Sequence, residues 1–278
     1  MMFDETRQIL REYGVRPDRR IGQQQVIDPT VLERMIDYAK LSHEDVVLEV
    51  GAGVGNLTIL LAKHAGGVIA VERDAKLIEA LRERLKGATN VDFLHGDALR
   101  VEFPKFNKIV SNLPYSISSD IMFRLLEFKF DLAVLMFQKE FAKRLVAISG
   151  SEDYGRLTVN TYYCAEVELL DEVPPTAFFP QPKINSAIVR LRPRDPPFEV
   201  MDKQVFSNVV RALFQHRRQR VRNALMRSFS EVFPDTRIPK NKRRSLADEK
   251  LPKNLSEARV MDLTPEMFGE ISNLLTSP

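Results

Sequence analysis

The feature that most constrains the fold is an apolar run that leads directly into three closely spaced glycines. Residues 46–50 predict a buried strand, and residues 56–62 predict a helix. The turn between them contains Gly51, Gly53 and Gly55. Glycines let a backbone approach a ligand closely, and a helix N-terminus favours a negatively charged group. The third glycine comes one residue too early for a dinucleotide fingerprint and no P-loop lysine follows, so the spacing disfavours pyrophosphate.

Two acidic residues lie at the ends of the next two predicted strands. Glu72 ends the apolar run 68–71, about 20 residues after Gly51, where open α/β sheets place an acid that binds ribose hydroxyls. Asp97 ends the strand predicted within residues 91–99, where it can accept a hydrogen bond from an adenine amino group. The simpler alternatives are a surface acid that caps a helix for Glu72 and a turn carboxylate for Asp97.

A sharp turn, Asn112-Leu113-Pro114-Tyr115, follows the predicted strand at residues 108–111. Pro114 lacks an N–H and fixes φ, so the strand ends there. The Asn112 side-chain carbonyl and the Leu113 backbone carbonyl can accept both N–H groups of an exocyclic amine on a nucleobase. Tyr115 can stack on the face of the same base. The alternative is a solvent-facing turn without a ligand.

A proline-rich loop at residues 174–183 contains two adjacent aromatic residues, Phe178 and Phe179. The prolines restrict the backbone on both sides of these rings. One of the two rings, for which we select Phe178, can complete an aromatic sandwich with Tyr115 around a base. The alternative is that both rings pack inside an ordered loop.

Composition places the chain among ordinary globular proteins. With 278 residues, 44% of them hydrophobic, it can form one large core and a smaller second domain. The single cysteine, Cys164, excludes an internal disulfide and suits a reducing compartment. The four histidines show no ligand spacing, and we predict no metal site. Because no apolar segment resembles a membrane span or a signal peptide, we expect a cytoplasmic protein without a membrane partner.

Strands alternate with helices from residue 46 to residue 165. This alternation predicts an α/β fold with a mostly parallel sheet. Two further apolar runs, at residues 167–173 and 186–191, predict strands that form a hairpin at one edge of the sheet.

The proline-rich and arginine-rich residues 192–197 indicate a linker. We therefore predict an α/β domain at residues 1–194, with an N-terminal arm at residues 1–28. The pattern beyond the linker is helical only, which predicts an all-α domain at residues 195–278.

A basic stretch marks this predicted C-terminal domain, although the net charge of the whole chain is only +3. No acidic residue lies between Lys203 and Ser230. A positive surface interleaved with amides is what RNA phosphates require, and the alternative is a solvated helix face. The arginines that we select as RNA contacts are Arg217, Arg218, Arg220 and Arg222. Further basic residues follow at Lys240, Lys242, Arg243 and Arg244.

The order of these motifs resembles the S-adenosylmethionine-dependent adenine-N6 methyltransferases. The motifs that carry the resemblance are Gly51-Ala52-Gly53-Val54-Gly55, Val71-Glu72, Gly96-Asp97-Ala98 and Asn112-Leu113-Pro114-Tyr115. Residues 173–183 and 214–218 narrow it to the KsgA-type small-subunit rRNA dimethyladenosine transferases, and among them to archaeal members. The resemblance covers residues 15–275, and the combination is far more specific than any single motif.

The resemblance implies a Rossmann-like methyltransferase sheet with a small all-α C-terminal domain, and S-adenosylmethionine as the cofactor. The methionyl end of this cofactor would lie against Gly51 and Gly53. Its ribose would bind Glu72, and its adenine amine would bind Asp97. Asn112 would contact both the methyl region and the target base.

The resemblance also implies that an N-terminal segment closes over the cofactor, through Gln24 and Val26. The family pattern at this point is Gly-Gln-x-Phe-Leu, whereas this chain has Gly22-Gln23-Gln24-Gln25-Val26. Gln25 therefore occupies the position of a family aromatic ring.

The implied reaction transfers methyl groups to N6 of two adjacent adenosines in a hairpin loop near the 3′ end of 16S rRNA, which gives N6,N6-dimethyladenosine. The implied partner is the small ribosomal subunit during its biogenesis, and we expect a monomer. One alternative is an RNA-binding assembly factor with weak or no methylation, which Gln25 favours. Another is an adenine-N6 methyltransferase that acts on large-subunit rRNA or on DNA. The basic helical tail favours the small-subunit enzyme.

Overall fold

A computed structural model describes residues 2–17, 23–234 and 249–276. Contacts between residues divide the chain into two compact units. The first unit comprises Met1–Ala142 and Glu166–Pro193, and the second comprises Lys143–Ala165 and Arg194–Pro278. The sequence predicts a single boundary at residue 194. The contact division differs because Tyr154, Val159 and Tyr163 are buried among the apolar side chains of the C-terminal helices.

The described part of the first unit contains a seven-stranded sheet and a separate two-stranded sheet. Its strands are β1 (Gln25–Val26), β2 (Val46–Val50), β3 (Gly67–Glu72), β4 (Val91–His95), β5 (Lys108–Asn112), β6 (Leu132–Gln138), β7 (Ala165–Val173), β8 (Phe178–Phe179) and β9 (Ser186–Pro193). The helices that lie before or between them are α1 (Met2–Glu12), α2 (Pro29–Ala39), α3 (Asn56–His64), α4 (Ala75–Arg84), α5 (Ser118–Leu125) and α6 (Lys139–Leu145). The division between the two units falls within α6.

The larger sheet has the strand order β4-β3-β2-β5-β6-β9-β7. The pairs from β4 to β6 are parallel, and β9 runs antiparallel to β6. The predicted α/β fold with a mostly parallel sheet is therefore confirmed, with β7 and β9 adjacent at its edge. The order of the strands reverses between β2 and β5, and such a reversal leaves a crevice at the carboxyl ends of the two strands.

Local sequence signals explain where two helices of this unit begin. The Asp28 side chain accepts from Thr30 N, and Pro29 takes the first position of α2. The Asp74 side chain accepts from Lys76 N and Leu77 N at the start of α4. In both helices the capping acid directly precedes the first helical turn.

Apolar side chains of the helices bury themselves against the sheet. Leu32 and Met35 of α2 and Leu61 of α3 are fully buried in one cluster with Val110 of β5. Each such side chain contributes roughly 1.5–3 kcal/mol to stability on burial. This packing fixes the carboxyl ends of β2 and β5, from which the glycine turn and the Asn112 turn project.

The described part of the second unit is helical. Its helices are α7 (Arg156–Cys164), α8 (Lys203–Phe214), α9 (Val221–Arg227), α10 (Phe229–Val232), α11 (Lys253–Ser256) and α12 (Pro265–Thr276). Phe214 and Phe268 stack with their ring centroids 5.0 Å apart. The Tyr154 hydroxyl donates to the Leu263 carbonyl over 2.7 Å, which ties residue 154 into this helical core.

Candidate active site

A cavity of about 400 Å³ lies at the carboxyl ends of the central strands in the first unit. The predicted site residues that line it are Gln24, Gly51, Glu72, Asp97, Asn112 and Pro114. The cavity is also lined by residues that the sequence motifs did not indicate, among them Gln25, Asp74 and Ile117. The cavity stands where the strand order reverses, which is the expected ligand position in an open α/β sheet.

Gly51 begins the turn that forms one wall of this cavity. Its φ of 78° lies in the left-handed region, which favours glycine. A Cβ at this position would lie 3.0 Å from Cγ of Pro114, so glycine also allows the close approach of the two turns. The Val71 carbonyl accepts from Gly51 N over 2.8 Å and from Ala52 N over 3.1 Å, which holds the turn beside the end of β3.

Glu72 is a buried acid at the end of β3, and its two oxygens bind backbone amides. Oε2 accepts from Gly53 N over 2.9 Å, and Oε1 accepts from Arg73 N over 2.8 Å and Asp74 N over 2.9 Å. Burial raises the pKa of Glu72 above its ordinary value, and these amides partly oppose the shift. A carboxylate has about four lone-pair sites, so it can still accept from a ribose hydroxyl.

Asp97 takes the turn role that was the simpler alternative, and its binding of an adenine amine stays a prediction. Its Oδ1 accepts from Leu99 N over 3.0 Å, which is the turn role. It also lines the cavity, where a further lone pair can meet an amino group.

Asn112 is the last residue of β5. One end of its side-chain amide is hydrogen-bonded, and the other end has no partner among the described residues. Nδ2 donates to the Gln24 carbonyl over 3.0 Å. Oδ1 is buried, and no described residue hydrogen-bonds to it. The same holds for Oε1 of Gln24, which lines the same cavity. Two buried acceptors without donors fit a ligand that carries N–H groups.

Leu113 and Pro114 continue the chain into a tight turn. Leu113 is buried, and its N–H donates to the Met136 carbonyl over 3.3 Å. Pro114 has φ of −60° and its carbonyl accepts from Ile117 N over 3.1 Å. The predicted end of the strand at this proline is therefore present.

Tyr115 lies outside the cavity lining, on the turn that follows Pro114. Its hydroxyl and the Ser186 hydroxyl share a hydrogen bond of 2.5 Å. Burial raises the pKa of Tyr115 to about 12, so the phenol stays neutral and can donate. The contact anchors the far end of the ring on β9. Its stacking on a base remains a prediction.

The structure does not bring Phe178 to the cavity or to Tyr115. β8 pairs with β1, and Phe178 is 2% exposed in the core beside Val26. Successive side chains of a strand point to opposite faces, so the Phe179 ring points away from the side on which Phe178 is buried. Phe179 packs edge to face against Phe3 of α1, with ring centroids 5.5 Å apart. This arrangement agrees with the simpler alternative from the sequence, in which both phenylalanine rings pack inside an ordered loop. A stacking role for Phe178 would require the loop to open.

Val26 and Gly53 also lie outside the lining, although both hold the segments around it. Val26 is buried, and its carbonyl accepts from Asn56 Nδ2 over 2.8 Å. The Gly53 N–H is bonded to Glu72. Gln25 lines the cavity but was not selected as a site residue, and the departure from the family pattern at this position was the available signal.

The four selected arginines, in the second unit, differ in their surroundings. Arg217 donates to the Ser151 and Glu152 carbonyls over 3.0 and 2.8 Å. Arg220 and Arg222 both pair with Glu257. Arg218 is exposed. The further basic residues Lys240, Lys242, Arg243 and Arg244 lie outside the described residues.

The described residues contain neither a cluster of side chains placed to hold a metal ion nor a helix that could span a membrane. No group of three or more His, Cys, Asp and Glu side chains in the described ranges is placed to hold a metal ion. None of the described helices combines the length and the apolar character needed to cross a membrane.

The family model for ribosomal RNA adenine dimethylases matches residues 16–267. The chain belongs to this family. Membership confirms the predicted KsgA-type resemblance, the predicted class of enzyme and S-adenosylmethionine as its cofactor. The unpaired acceptors and the glycine wall of the cavity described above fit such a methyl donor.

Relatives named "Probable ribosomal RNA small subunit methyltransferase A" align over nearly the whole dimethylase chain. The one from Methanothermobacter thermautotrophicus is 46% identical and aligns with 98% of this chain and 95% of its own. The one from Methanosarcina mazei is 44% identical, with 97% and 96% covered. Both sources are archaea, in agreement with the prediction.

Two solved structures resemble the dimethylase chain along most of its length. A dimethyladenosine transferase from Plasmodium falciparum has a TM-score of 0.74 and 30% identity, covering 88% of this chain and 94% of its own. The 23S rRNA methyltransferase ErmE has a TM-score of 0.63 and 30% identity, covering 90% and 98%. The predicted methyltransferase fold is therefore confirmed.

Proposed function

We propose that this dimethylase methylates N6 of two adjacent adenosines in a hairpin loop near the 3′ end of small-subunit rRNA, as a step in the biogenesis of that subunit. The names of the archaeal relatives support the small subunit over the large one. The observation that carries the site assignment is that Asn112 lines the cavity and has a buried Oδ1 without a hydrogen-bond partner among the described residues.

Residues of the first unit would hold the methyl donor. Glu72 would accept from its ribose hydroxyls and Asp97 from its adenine amine. The turn at Gly51 and Gly53 and the segment at Gln24 and Val26 would enclose its methionyl end. When bound, S-adenosylmethionine supplies an electrophilic methyl group on a sulfonium.

The Asn112 turn would prepare the target amine for attack. The lone pair of adenine N6 is delocalised into the ring, so N6 is a poor nucleophile. The Asn112 Oδ1 and the Leu113 carbonyl would accept its two N–H groups and draw the lone pair toward the incoming methyl carbon. As the N–C bond forms, the C–S bond breaks, and one N6 proton leaves to solvent. Tyr115 would stack on the base.

The second methyl transfer meets a changed amine. Monomethylated N6 retains one N–H, so only one of the two acceptors keeps its donor. In the second transfer a larger share of the rate acceleration therefore comes from positioning in a water-poor pocket. Alignment of the reacting atoms lowers the activation barrier without a charged side chain. A looped and unstacked base is the RNA form that can enter such a pocket.

The second unit would contact the RNA backbone. Arg218 and Arg220 are both exposed, Arg220 is paired with Glu257, and Arg217 and Arg222 support the surface around Arg218 through the contacts described above. The proposal also includes a cytoplasmic location, because the proposed substrate is the nascent small subunit. The expected monomeric state is part of the proposal as well.

The test is methyl incorporation by an Asn112→Ala variant, with Asn160→Ala as the matched control. The Asn160 amide donates to the Arg156 carbonyl within α7, away from the cavity lining. We expect Asn112→Ala to lose about 100-fold or more of the turnover, as when one transition-state hydrogen-bond partner is removed. Binding of S-adenosylhomocysteine by calorimetry should persist, and Asn160→Ala should match the wild type.

Labelled methyl groups are then mapped on small subunits from a strain that lacks this protein. Label confined to two adjacent adenosines supports the proposal. Wild-type turnover by Asn112→Ala would contradict the site assignment. RNA binding without any label by the wild-type protein would instead support the assembly-factor alternative.

A further inference from the structure

Residues 23–27 form a short segment, here termed the strap, that is hydrogen-bonded to the glycine turn, the Asn112 turn and the proline-rich loop. The strap includes β1, which pairs with β8 so that Gln25 faces Phe179 and Val26 faces Phe178. Each residue of the strap makes one of its hydrogen bonds to a different part of the first unit. The Gln23 side chain donates to Asp74, and the Gln25 side chain accepts from Val54 N. The Gln24 carbonyl accepts from Asn112, the Val26 carbonyl accepts from Asn56, and Ile27 N donates to the Ala177 carbonyl. One strand thus joins the glycine turn, the Asn112 turn and the proline-rich loop.

The strap determines which end of the Asn112 amide is hydrogen-bonded and which end is left without a partner among the described residues. Nδ2 donates to the Gln24 carbonyl over 3.0 Å. A reversed amide would place Oδ1 against that carbonyl oxygen, and two acceptors repel each other. The Gln24 carbonyl therefore leaves Oδ1 as the free acceptor. If the carbonyl moved, the amide could rotate and offer N–H groups to an amine that also needs acceptors.

Gln25 fastens the strap to the glycine turn. Its side-chain Oε1 accepts from Val54 N over 3.1 Å, and the residue is 9% exposed. The preceding amide, Gly53 N, is held by Glu72, so side chains from two different elements bind consecutive amides of the turn. A Cβ at Gly53 would fall against the Gln25 side-chain amide, which shows how closely the two are packed.

We propose that Gln25 is a positioning residue of this dimethylase: it fastens the strap to the glycine turn and thereby holds the Gln24 carbonyl where it orients the Asn112 amide. The inference rests on the proposed role of Asn112. Gln25 stands where the family pattern has an aromatic ring, and in this chain a buried hydrogen bond connects the donor turn to the strap. The orientation of Asn112 then depends on a side chain that is bonded to the glycine turn.

The test compares Gln25→Met with Gln8→Met. Met keeps the length and the flexibility of Gln but provides no strong acceptor, so Val54 N would be buried without a partner. Gln8 is an exposed glutamine of α1 and serves as the matched control. With donor and RNA saturating, we expect kcat of Gln25→Met to fall about tenfold, while Gln8→Met matches the wild type.

Binding and folding measurements separate positioning from packing. S-adenosylhomocysteine affinity, from calorimetry, should fall less than kcat, and the far-ultraviolet spectrum of Gln25→Met should match the wild type. A Gln25→Glu variant keeps an acceptor for Val54 N and should recover most of kcat. Its assay covers a pH series because the new carboxylate would stand near Glu72.

Three results would overturn the inference. They are wild-type kcat in folded Gln25→Met, an affinity loss that accounts for the whole effect, and a Gln25→Glu variant as impaired as Gln25→Met at every pH. Failure of the proposed function looks different, because Asn112→Ala would then retain turnover. If Asn112→Ala is inactive and Gln25→Met is unimpaired, only the role of the strap is wrong.

Discussion

Glu49 is a buried acid on β2, two residues before the glycine turn. It is 2% exposed, and its Oε2 has no hydrogen-bond partner among the described residues. Burial raises the pKa of Glu49 from its ordinary 4.5 to about 8, the nearby Glu72 carboxylate adds to the shift, and Thr58 opposes it. At neutral pH the protonated form therefore predominates in the folded protein.

This shift predicts how stability depends on pH. Between pH 4.5 and about 8 the folded state binds a proton at Glu49 that the unfolded state has lost. The contribution of Glu49 is therefore fully present below pH 4.5 and is lost as the pH rises to about 8. A Glu49→Gln variant, which cannot ionise, should lose less stability over this range, by a difference on the order of a few kcal/mol.

Urea unfolding of both proteins across this pH range measures the effect. The free energy of unfolding should fall more steeply with pH for the wild type than for Glu49→Gln. A Glu33→Gln variant, at an exposed position of α2, should keep the wild-type slope. Parallel curves for the wild type and Glu49→Gln would contradict the assigned protonation of Glu49.

At the scale of elements, the glycine turn predicts a sensitive position at Gly53. Its φ is 59°, and a Cβ there would meet the Gln25 amide. We expect Gly53→Ala to lower the free energy of unfolding by roughly 1–3 kcal/mol, because Ala is strained at this φ and the strap must shift. Donor affinity should fall with it, since the turn forms the wall next to the donor.

Thermal unfolding and S-adenosylhomocysteine calorimetry measure the two effects of Gly53→Ala. Gly87→Ala is the matched control, because Gly87 does not have a positive φ and a Cβ there would meet nothing within 4 Å. It should leave both measurements unchanged. Equal behaviour of the two alanine variants would show that the turn tolerates a Cβ.

The elements that the sequence predicted well are those with strong local signals. The strand at 46–50, the helix predicted at 56–62 and the end of β5 at Pro114 follow from the apolar pattern and the loss of an N–H. These signals act within a few residues, so no knowledge of the rest of the chain is needed.

What the sequence did not predict depends on contacts between distant residues. β1 and β8 have two residues each, too few for a periodic pattern, and they exist because residues 25–26 and 178–179 meet. The burial of Phe178 follows from that pairing. The bond from Gln25 to Val54 joins positions 29 apart, so the residue type alone could not reveal it.

At the scale of the whole molecule, formal charge alone overstates the positive surface of the second unit. Three of the four arginines selected as RNA contacts already bind groups of the protein itself. Arg217 binds two backbone carbonyls, and Arg220 and Arg222 share Glu257. Arg218 and Arg220 are both exposed, but Arg220 is already paired with Glu257, so Arg218 is the better candidate to exchange counterions for RNA phosphates.

Arg218→Ala should therefore weaken RNA binding and flatten its dependence on salt, whereas Arg217→Ala should act mainly on stability. Removal of one phosphate contact lowers the slope of log affinity against log salt by about 1. Loss of the Arg217 hydrogen bonds to Ser151 and Glu152 instead lowers the free energy of unfolding by roughly 1–3 kcal/mol. RNA binding measured over a salt series, beside thermal unfolding, separates the two effects. An unchanged slope in Arg218→Ala would mean that the RNA phosphates lie elsewhere on the molecule.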